Sequence, residues 1–272
     1  MKTPHMKSLA AMSLIALTVA LSPQAKGVTL INYNFNSLTT GTSIHGQDSW
    51  VSVSGSFNTP PQVATTPVNA GGGGTTGLTN GLEDKGSSAR KNFFTAGTLT
   101  TSQTLTLTFD AIQVTNQTIA QFGLGDGTAN FGIWNGTMAI RSSANTFIAK
   151  TNAGWDVAPI NNHWYSFQSV WNLSTNMASL YYKDLTNGDT SYTQLFFDQA
   201  QTVSQVSLGS FNPATVTDAW VRVGKTGAGG VGPGTGYLDN LSLVAVPEPH
   251  TLALGLLGLG TFLAMRFRRR AS

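Results

Sequence analysis

The sequence predicts an all-β fold in which two antiparallel sheets pack together, flanked by a distinct segment at each end of the chain. Three observations predict this. Apolar and polar residues alternate along many short stretches, glycine and asparagine recur between those stretches, and nothing between the two ends has the 3.6-residue apolar repeat of a helix. About a dozen short strands of this kind favour two sheets that share one core.

The clearest strands lie in the middle of the chain. In QTLTLTFDAIQV, Leu105, Leu107 and Phe109 point one way and the intervening threonines point the other. HWYSFQSVWNL repeats the alternation, and MASLYYKDL with the Asn-Gly turn at 187–188 and TSYTQLFF completes a predicted meander of three strands. Further strands are predicted at TLINYNF, SWVSVSG, IAQFGLG, FGIWNG, TMAIRS, VSQVSLGS, DAWVRVG and GYLDNLSLV. The first and last of these are expected to lie near each other, because the ends of a sandwich commonly meet.

Residues 1–25 have the composition of a secretory signal peptide. Lys2 and Lys7 precede an apolar run from Leu9 to Leu21, and small and polar residues follow. The run is short for a membrane span of about 20 residues. The sequence therefore predicts an exported protein.

The charge of the middle of the chain differs from that of the whole. Residues 28–246 contain eight Lys and Arg against eleven Asp and Glu, a net charge of −3, whereas the whole chain has a net charge of +3. No basic stripe suited to a phosphate backbone is present, which excludes nucleic-acid binding. The chain has no cysteine, which excludes thiol catalysis and cysteine-ligated zinc.

The C-terminal segment combines three features in order. Pro247, Glu248 and Pro249 come first, a run of 15 apolar residues follows at 251–265, and an arginine cluster ends the chain. The cluster consists of Arg266, Arg268, Arg269 and Arg270. As a helix the apolar run would extend about 22 Å, which is short for a bilayer core of about 30 Å, and arginine side chains can lengthen its reach.

Residues 246–272 resemble the PEP-CTERM sorting signal of Gram-negative bacteria in all three features. The resemblance implies a short transmembrane helix that holds the protein transiently in the inner membrane. It also implies processing by an exosortase, a membrane protease-transpeptidase that delivers the domain before the motif to the cell surface or extracellular matrix. A simple tail anchor is the alternative interpretation.

The middle of the chain resembles the concanavalin A-like and laminin-G-like jelly rolls. The resemblance rests on NYNFNSL followed by GQDSW, on HWYSFQSVWNLSTNMASLYYKD, and on the closing GYLDNLSL. It implies a jelly-roll β-sandwich over residues 28–245, in a fold class whose relatives include glycosidases.

Catalytic residues are not predicted. Hydrolysis of a glycosidic bond requires two carboxylates about 5 to 10 Å apart, yet Glu83 is the single glutamate between residues 28 and 246. Polysaccharide hydrolysis through an aspartate pair is the least favoured alternative.

A calcium site is one of two interpretations of the strand ends. Jelly-roll binding modules often hold a structural Ca²⁺ where the first and last strands meet, which implies Asn34, Asn36 and Asp239 as oxygen ligands. The other interpretation is that Asp239 and Asn240 form a strand-edge turn or hydrogen-bond a neighbouring strand. Both stay open at this point.

Saccharide contact is predicted at two tryptophans. Trp134 and Trp155 stand beside glycines in loop-like surroundings, where an exposed indole could stack on a sugar ring. The sequence thus predicts a non-enzymatic exported protein whose sandwich is structural or contacts glycans, with a lectin-like carbohydrate-binding module as the alternative and an extracellular polysaccharide as the expected ligand.

Overall fold

The structure, a computed structural model, describes residues 26–53, 61–66, 76–79, 87–125, 129–135, 137–142, 147–150, 159–198, 200–225 and 236–248. The chain divides into a unit at Val28–Ala245 and a second unit made of Met1–Gly27 and Val246–Ser272. The predicted signal peptide at 1–25 and the predicted span at 251–265 lie outside the described residues. Within the described ranges no helix is long and apolar enough to cross a membrane.

The described residues form sixteen strands and one short 3-10 turn at Pro213–Thr215. The strands are β1 (Val28–Tyr33), β2 (Val51–Ser52), β3 (Gln62–Thr65), β4 (Thr76–Thr79), β5 (Ser87–Asn92), β6 (Gln103–Gln113), β7 (Thr118–Leu124), β8 (Ala129–Trp134), β9 (Thr137–Ser142), β10 (Phe147–Lys150), β11 (His163–Asn172), β12 (Met177–Asp184), β13 (Thr193–Gln194), β14 (Val206–Ser207), β15 (Asp218–Lys225) and β16 (Gly236–Pro247).

The strands build two sheets. Sheet I has the order β13-β12-β11-β6-β16-β4-β3, with β1 also paired to β16 and β14 also paired to β12. Sheet II has the order β10-β9-β8-β7-β15-β5-β2. The first and last strands pair antiparallel, with Val28 opposite Ala245 and Tyr33 opposite Leu241, which confirms that the two ends of the sandwich meet.

Aromatic side chains join the two sheets in the centre of the core. Phe109 on β6 of sheet I meets Phe131 on β8 of sheet II with ring centroids 5.3 Å apart, and meets Phe122 on β7 at 6.1 Å. Phe167 on β11 stacks on Phe109 at 5.3 Å. All four rings are fully buried. The sheets therefore pack face to face around one apolar core, as the alternation of residues predicts.

Alternation predicts the long strands well and the short ones poorly. The strands β6, β7, β8, β9, β11, β12, β15 and β16 lie where the sequence predicts them. In contrast, SWVSVSG contains only the two-residue strand β2 among its described residues, and TSYTQLFF only β13. The strands β3, β4, β5 and β10 are not predicted. In β4 all four residues of TGLT are buried, so no polar face alternates with an apolar one.

Candidate functional site

The face of sheet II that points away from the core is polar, and we call it the polar face. On β15, Ala219, Val221 and Val223 belong to the core, so the intervening residues lie on the other face. Strand register extends this face across the sheet. It consists of Ser88, Arg90, Asn92, Asp218, Trp220, Arg222, Ile119, Gln121, Gly123, Asn130, Gly132, Trp134, Thr137, Ala139 and Arg141.

Five residues of the polar face form a row across five strands. Arg90 on β5 is opposite Trp220 on β15, Trp220 is opposite Gly123 on β7, Gly123 is opposite Asn130 on β8, and Asn130 is opposite Arg141 on β9. Neighbouring strands lie about 4.8 Å apart, so the row is on the order of 19 Å long. An arginine thus stands at each end, with a tryptophan and an asparagine between them.

Two arginines contact one tryptophan at the buried end of the face. The Cζ atom of Arg141 lies 3.7 Å from the centroid of the Trp134 ring, and the Cζ atom of Arg222 lies 4.8 Å from it. Both arginines are at least 96% buried, whereas Trp134 is half-buried. Such cation–π contacts stabilise by about 0.5 to 2 kcal/mol each.

The two guanidinium groups also influence each other. Burial lowers the pKa of Arg141 to about 10. Burial lowers the pKa of Arg222 to about 9, with the positive charge of Arg141 as a second cause. Both side chains still carry a proton at neutral pH, so this end of the polar face holds two positive charges close together.

Gln121 lies on the same face, on β7 between β15 and β8. It is opposite Arg222 on β15 and opposite Gly132, which has no side chain, on β8. The residue is fully buried, and in the described part of the chain neither its Nε2 nor its Oε1 atom has a hydrogen-bond partner. A buried amide group without partners costs about 1 to 3 kcal/mol.

A cavity of about 580 Å³ lies at the other end of the polar face. Arg90, Asn92 and Asp218 contribute from the sheet, and the segment around the 3-10 turn contributes Asn212 and Thr215. The complete lining is Ser49, Val51, Arg90, Asn92, Gly125, Ser210, Phe211, Asn212, Thr215, Val216, Thr217 and Asp218. Charged, amide and hydroxyl groups therefore converge where Arg90, an exposed residue, begins the row.

Of the two tryptophans predicted to contact saccharides, the structure describes one. Trp134 ends β8 on the polar face, half-buried and in contact with Arg141 and Arg222. Trp155 lies outside the described residues. Whether either contacts a sugar stays a prediction.

Sequence reasoning missed the arginines and Gln121. The signal was present, because Arg141 and Arg222 stand at alternating positions of TMAIRS and DAWVRVG, two predicted strands, next to residues that proved to be core. The sequence could not show that β9 and β15 belong to the same sheet, or that Arg141 and Arg222 lie on the same face of that sheet.

The three residues predicted for calcium lie where β1 ends beside β16. The Asp239 carboxylate accepts hydrogen bonds from the backbone N–H groups of Asn240 and Phe35. Asn34 Oδ1 accepts from the Asn36 N–H at 3.4 Å. Asn36 Oδ1 accepts from the Thr76 N–H at 3.3 Å. Each predicted ligand thus already serves as a hydrogen-bond acceptor.

The contacts around Asp239 match the alternative interpretation, a hydrogen-bonded irregularity of the strand. Asn240 has a φ of +55°, and its side chain donates to Asp110 on the neighbouring strand β6 at 2.8 Å. Calcium prefers six to eight oxygen ligands. Among the described residues no group of three or more His, Cys, Asp or Glu could hold a metal ion. Calcium binding through the asparagines stays a prediction, and no role is derived from it.

The predicted sorting segment begins where β16 ends. Pro247 is the last residue of that strand and Glu248 follows it, whereas Pro249 and the cluster Arg266, Arg268, Arg269 and Arg270 lie outside the described residues. Residues 245–270 match the family model described as "PEP-CTERM protein-sorting motif". This segment is a PEP-CTERM sorting motif. It follows directly on the last strand of the sandwich, with Ala245 buried and Pro247 exposed.

Comparison with solved structures finds distant likenesses for the sandwich that precedes the PEP-CTERM motif. A peanut lectin is 12% identical over 82% of this chain and 98% of the lectin, with a TM-score of 0.46. The globular domain of T. cruzi calreticulin is 10% identical over 90% of this chain and 100% of that domain, with a TM-score of 0.47. The catalytic domain of a glycoside hydrolase family 131 protein from Coprinopsis cinerea is 12% identical over 80% and 94%, with a TM-score of 0.48. A search of curated protein sequences finds no significant match.

Proposed function

We propose that this is an exported protein that an exosortase processes at the PEP-CTERM motif, and that its β-sandwich contacts saccharides at the cell surface or in the extracellular matrix without catalysing a reaction. The motif at 245–270 supports the sorting step. The single observation that supports saccharide contact is the polar face of sheet II. A purely structural sandwich is the second candidate.

The polar face offers the groups that a saccharide requires. Trp134, which is half-buried, provides an indole surface, and Asn92 and Asn212 beside the cavity provide amides that can both donate and accept hydrogen bonds. The cavity of about 580 Å³ at its end is within the size range of about 300 to 1,000 Å³ that is typical of small-molecule sites. Aromatic, amide and charged groups thus share one surface.

The distribution of carboxylates supports a role without catalysis. Within the described residues of the polar face and the cavity, Asp218 is the single carboxylate. Retaining and inverting glycosidases both require two. The alternative, hydrolysis, predicts release of reducing sugar from a polysaccharide substrate and loss of that release when Asp218 is replaced by asparagine. We expect no release from the unaltered protein.

Replacement of the motif tests the sorting step. We expect the triple substitution of Pro247, Glu248 and Pro249 by alanine to retain the protein in the membrane fraction of an exosortase-containing host, because the enzyme no longer recognises it. The exposed residue Val203 provides a control, since V203A should reach the same location as the unaltered protein. Equal surface delivery of the triple variant would contradict the sorting proposal.

Titration with saccharides tests the binding step. We expect the purified protein to bind at least one class of surface polysaccharide, measured by calorimetry or on a glycan array, with W134A weaker. Failure to bind any saccharide at millimolar concentration would contradict saccharide contact and favour the second candidate, a purely structural sandwich. The two experiments therefore test the sorting step and the binding step independently.

A further inference from the structure

The cavity of about 580 Å³ differs from the rest of the polar face because most of its polar lining is accessible. Its exposed polar residues without a formal charge are Ser49, Asn92, Ser210, Asn212 and Thr215. By contrast, Trp220, Asn130 and Arg141 in the row across sheet II are at most 7% exposed. A ligand can therefore reach hydroxyl and amide groups in the cavity, but not along the sheet.

Contacts within the chain hold the segment around the 3-10 turn, which forms one wall of the cavity. The carbonyl oxygen of Thr217 accepts hydrogen bonds from the backbone N–H groups of Phe93 at 3.1 Å and Phe94 at 3.3 Å. The Phe211 ring meets the buried Trp171 ring edge to face, with centroids 5.1 Å apart. This wall is thus formed before a ligand arrives, and a preformed site loses less conformational entropy on binding.

The turn before β2 contributes to the lining in an unfavourable backbone conformation. Asp48 and Ser49 have φ values of +43° and +63°, which residues other than glycine rarely adopt. The Asp48 carboxylate holds the turn in place, since its Oδ2 atom accepts from the Tyr33 hydroxyl at 2.8 Å and lies 2.6 Å from Lys91 Nζ. Strained residues of this kind concentrate at ligand sites. Ser49, the second of the two, lines the cavity.

The described lining of the cavity has no net charge. Arg90 is its single cation and Asp218 its single carboxylate, and both already have interactions within the chain. The other polar groups are hydroxyls and amides, which donate and accept hydrogen bonds. Val51, which is 41% exposed, adds apolar surface. Such a lining suits a neutral molecule with several hydroxyl groups and one apolar side, which is the chemistry of a sugar ring.

We propose that this cavity binds a single neutral sugar unit, either free or at the end of a glycan. The Asn92 amide and the Ser210 hydroxyl hydrogen-bond the hydroxyl groups of the sugar, and Val51 lies against the apolar side of its ring. The volume of about 580 Å³ is typical of sites for small molecules. This inference rests on the proposed function and names the kind of saccharide and the place where it binds.

Titration of the purified protein with single sugars, followed by saturation-transfer NMR, tests the class of ligand. The probes are glucose, galactose and mannose, each beside the uronate that differs from it by one carboxylate, and trialanine as a neutral peptide. We expect at least one neutral sugar to bind in the millimolar range, with an affinity that salt leaves unchanged. We expect its uronate to bind about tenfold more weakly, because the cavity offers no unpaired counter-charge.

Two cavity variants and a matched control locate the site. We expect N92A to weaken binding of the neutral sugar about tenfold, the effect of one lost hydrogen-bonding group. We expect S210F to abolish binding, because its ring occupies the space of the ligand. N32A makes the same change as N92A at an exposed position of β1 and should bind like the unaltered protein. Asn92 and Ser210 are exposed, so both variants should retain the circular dichroism spectrum of the unaltered protein.

The outcomes separate this inference from the proposed function. Equal or tighter binding of a uronate would overturn the assignment to a neutral sugar, and tighter binding of trialanine than of any sugar would assign the cavity to a peptide instead. Unchanged binding in both N92A and S210F would overturn the site. Binding of a polysaccharide but of no single sugar would overturn the inference and leave saccharide contact standing. Absence of binding to every saccharide would overturn both.

Discussion

Asp239 is a carboxylate in surroundings that disfavour its charge. It is 1% exposed, and burial raises its pKa to about 6, with the charge of Asp110 as a further cause in the same direction. Hydrogen bonds from the backbone N–H groups of Asn240 and Phe35 act in the opposite direction. Burial also raises the pKa of Asp110, to which Asn240 donates. Two carboxylates therefore meet at the irregularity of β16.

The raised pKa of Asp239 predicts a loss of stability with rising pH. Since the folded state binds the proton more tightly than the unfolded state, the contribution is fully favourable below pH 4 and is lost as pH rises to about 6. We compare the free energy of unfolding of D239N with that of the unaltered protein. We expect the difference to change by about 3 kcal/mol in favour of D239N from pH 4 to pH 7.5, since each pKa unit corresponds to about 1.4 kcal/mol. Urea unfolding at the two pH values measures the difference. A constant difference would contradict the prediction.

The same unfolding experiment tests calcium. A bound Ca²⁺ would stabilise the charged carboxylate and raise the melting temperature in calcium over that in chelator. We expect little change, because the carboxylate of Asp239 and the side-chain oxygens of Asn34 and Asn36 already accept hydrogen bonds. A rise of several degrees that D239N abolishes would establish the calcium site.

The candidate site illustrates how far single residues can be predicted. Asp239 and the turn at 34–36 could be placed together because the first and last strands were expected to meet, and they do. The contact of Arg141 and Arg222 with Trp134 could not be predicted, since it joins three strands whose order in sheet II depends on the whole fold. Local alternation shows which face a residue occupies on its own strand, and nothing about its neighbours across the sheet.

At the scale of elements, the close pairing of β7 with β8 depends on glycine. Gly123 faces Asn130 so closely that a Cβ atom would contact backbone atoms as well as a side chain. By contrast, Gly188 in the turn after β12 has a φ of +82° and nothing within 4 Å of the Cβ position. Gly123 is required because no side chain fits at its position, and Gly188 is required because its backbone conformation is left-handed.

Substitution by alanine should therefore lower the free energy of unfolding by different amounts at Gly123 and Gly188. We expect G123A to lower the free energy of unfolding by about 3 kcal/mol, because backbone atoms of β8 cannot move away without breaking the ladder. We expect G188A to lower it by about 1 kcal/mol, the cost of a left-handed conformation for an L-residue. Urea unfolding of both variants measures the two costs. Equal losses would contradict the close packing of β7 on β8.

Strand length explains which elements the sequence reveals. The strands β6 and β11 each have long alternating patterns, and their apolar residues Phe109 and Phe167 meet in the core. The strands β3 and β4 have four residues each, too few to establish a period, and β4 is buried on both faces. The place of β4 beside β16 follows from pairing with residues more than 150 positions away, such as Leu78 with Leu238, and β3 is added through β4.

At the scale of the whole molecule, the sandwich forms a unit without the chain ends. Val28–Ala245 is compact by itself, and its core contains residues of both sheets. Its two terminal strands pair with each other, so the boundaries of the unit coincide with the ends of the ladder between β1 and β16. The predicted signal peptide and the PEP-CTERM motif are thus attached to a complete core.

A chain restricted to residues 26–248 should fold alone. We expect a circular dichroism spectrum dominated by strand and a single cooperative unfolding transition, because all residues of the core are retained. A chain that also lacks residues 26–33 should be markedly less stable, since β16 then loses its partner on one side along Leu241–Ala245 and keeps only β6 on the other. A helical spectrum for the 26–248 chain would contradict the fold.

The position of β16 determines how the sandwich resists tension. This strand lies inside sheet I, with β6 on one side and β1 and β4 on the other, and the chain leaves it at Pro247. A tether attached there would pull along the strand, so the hydrogen bonds on both sides would be strained in shear, all at once, rather than broken one after another. A load applied through that end would therefore meet more resistance than a load applied across the strands.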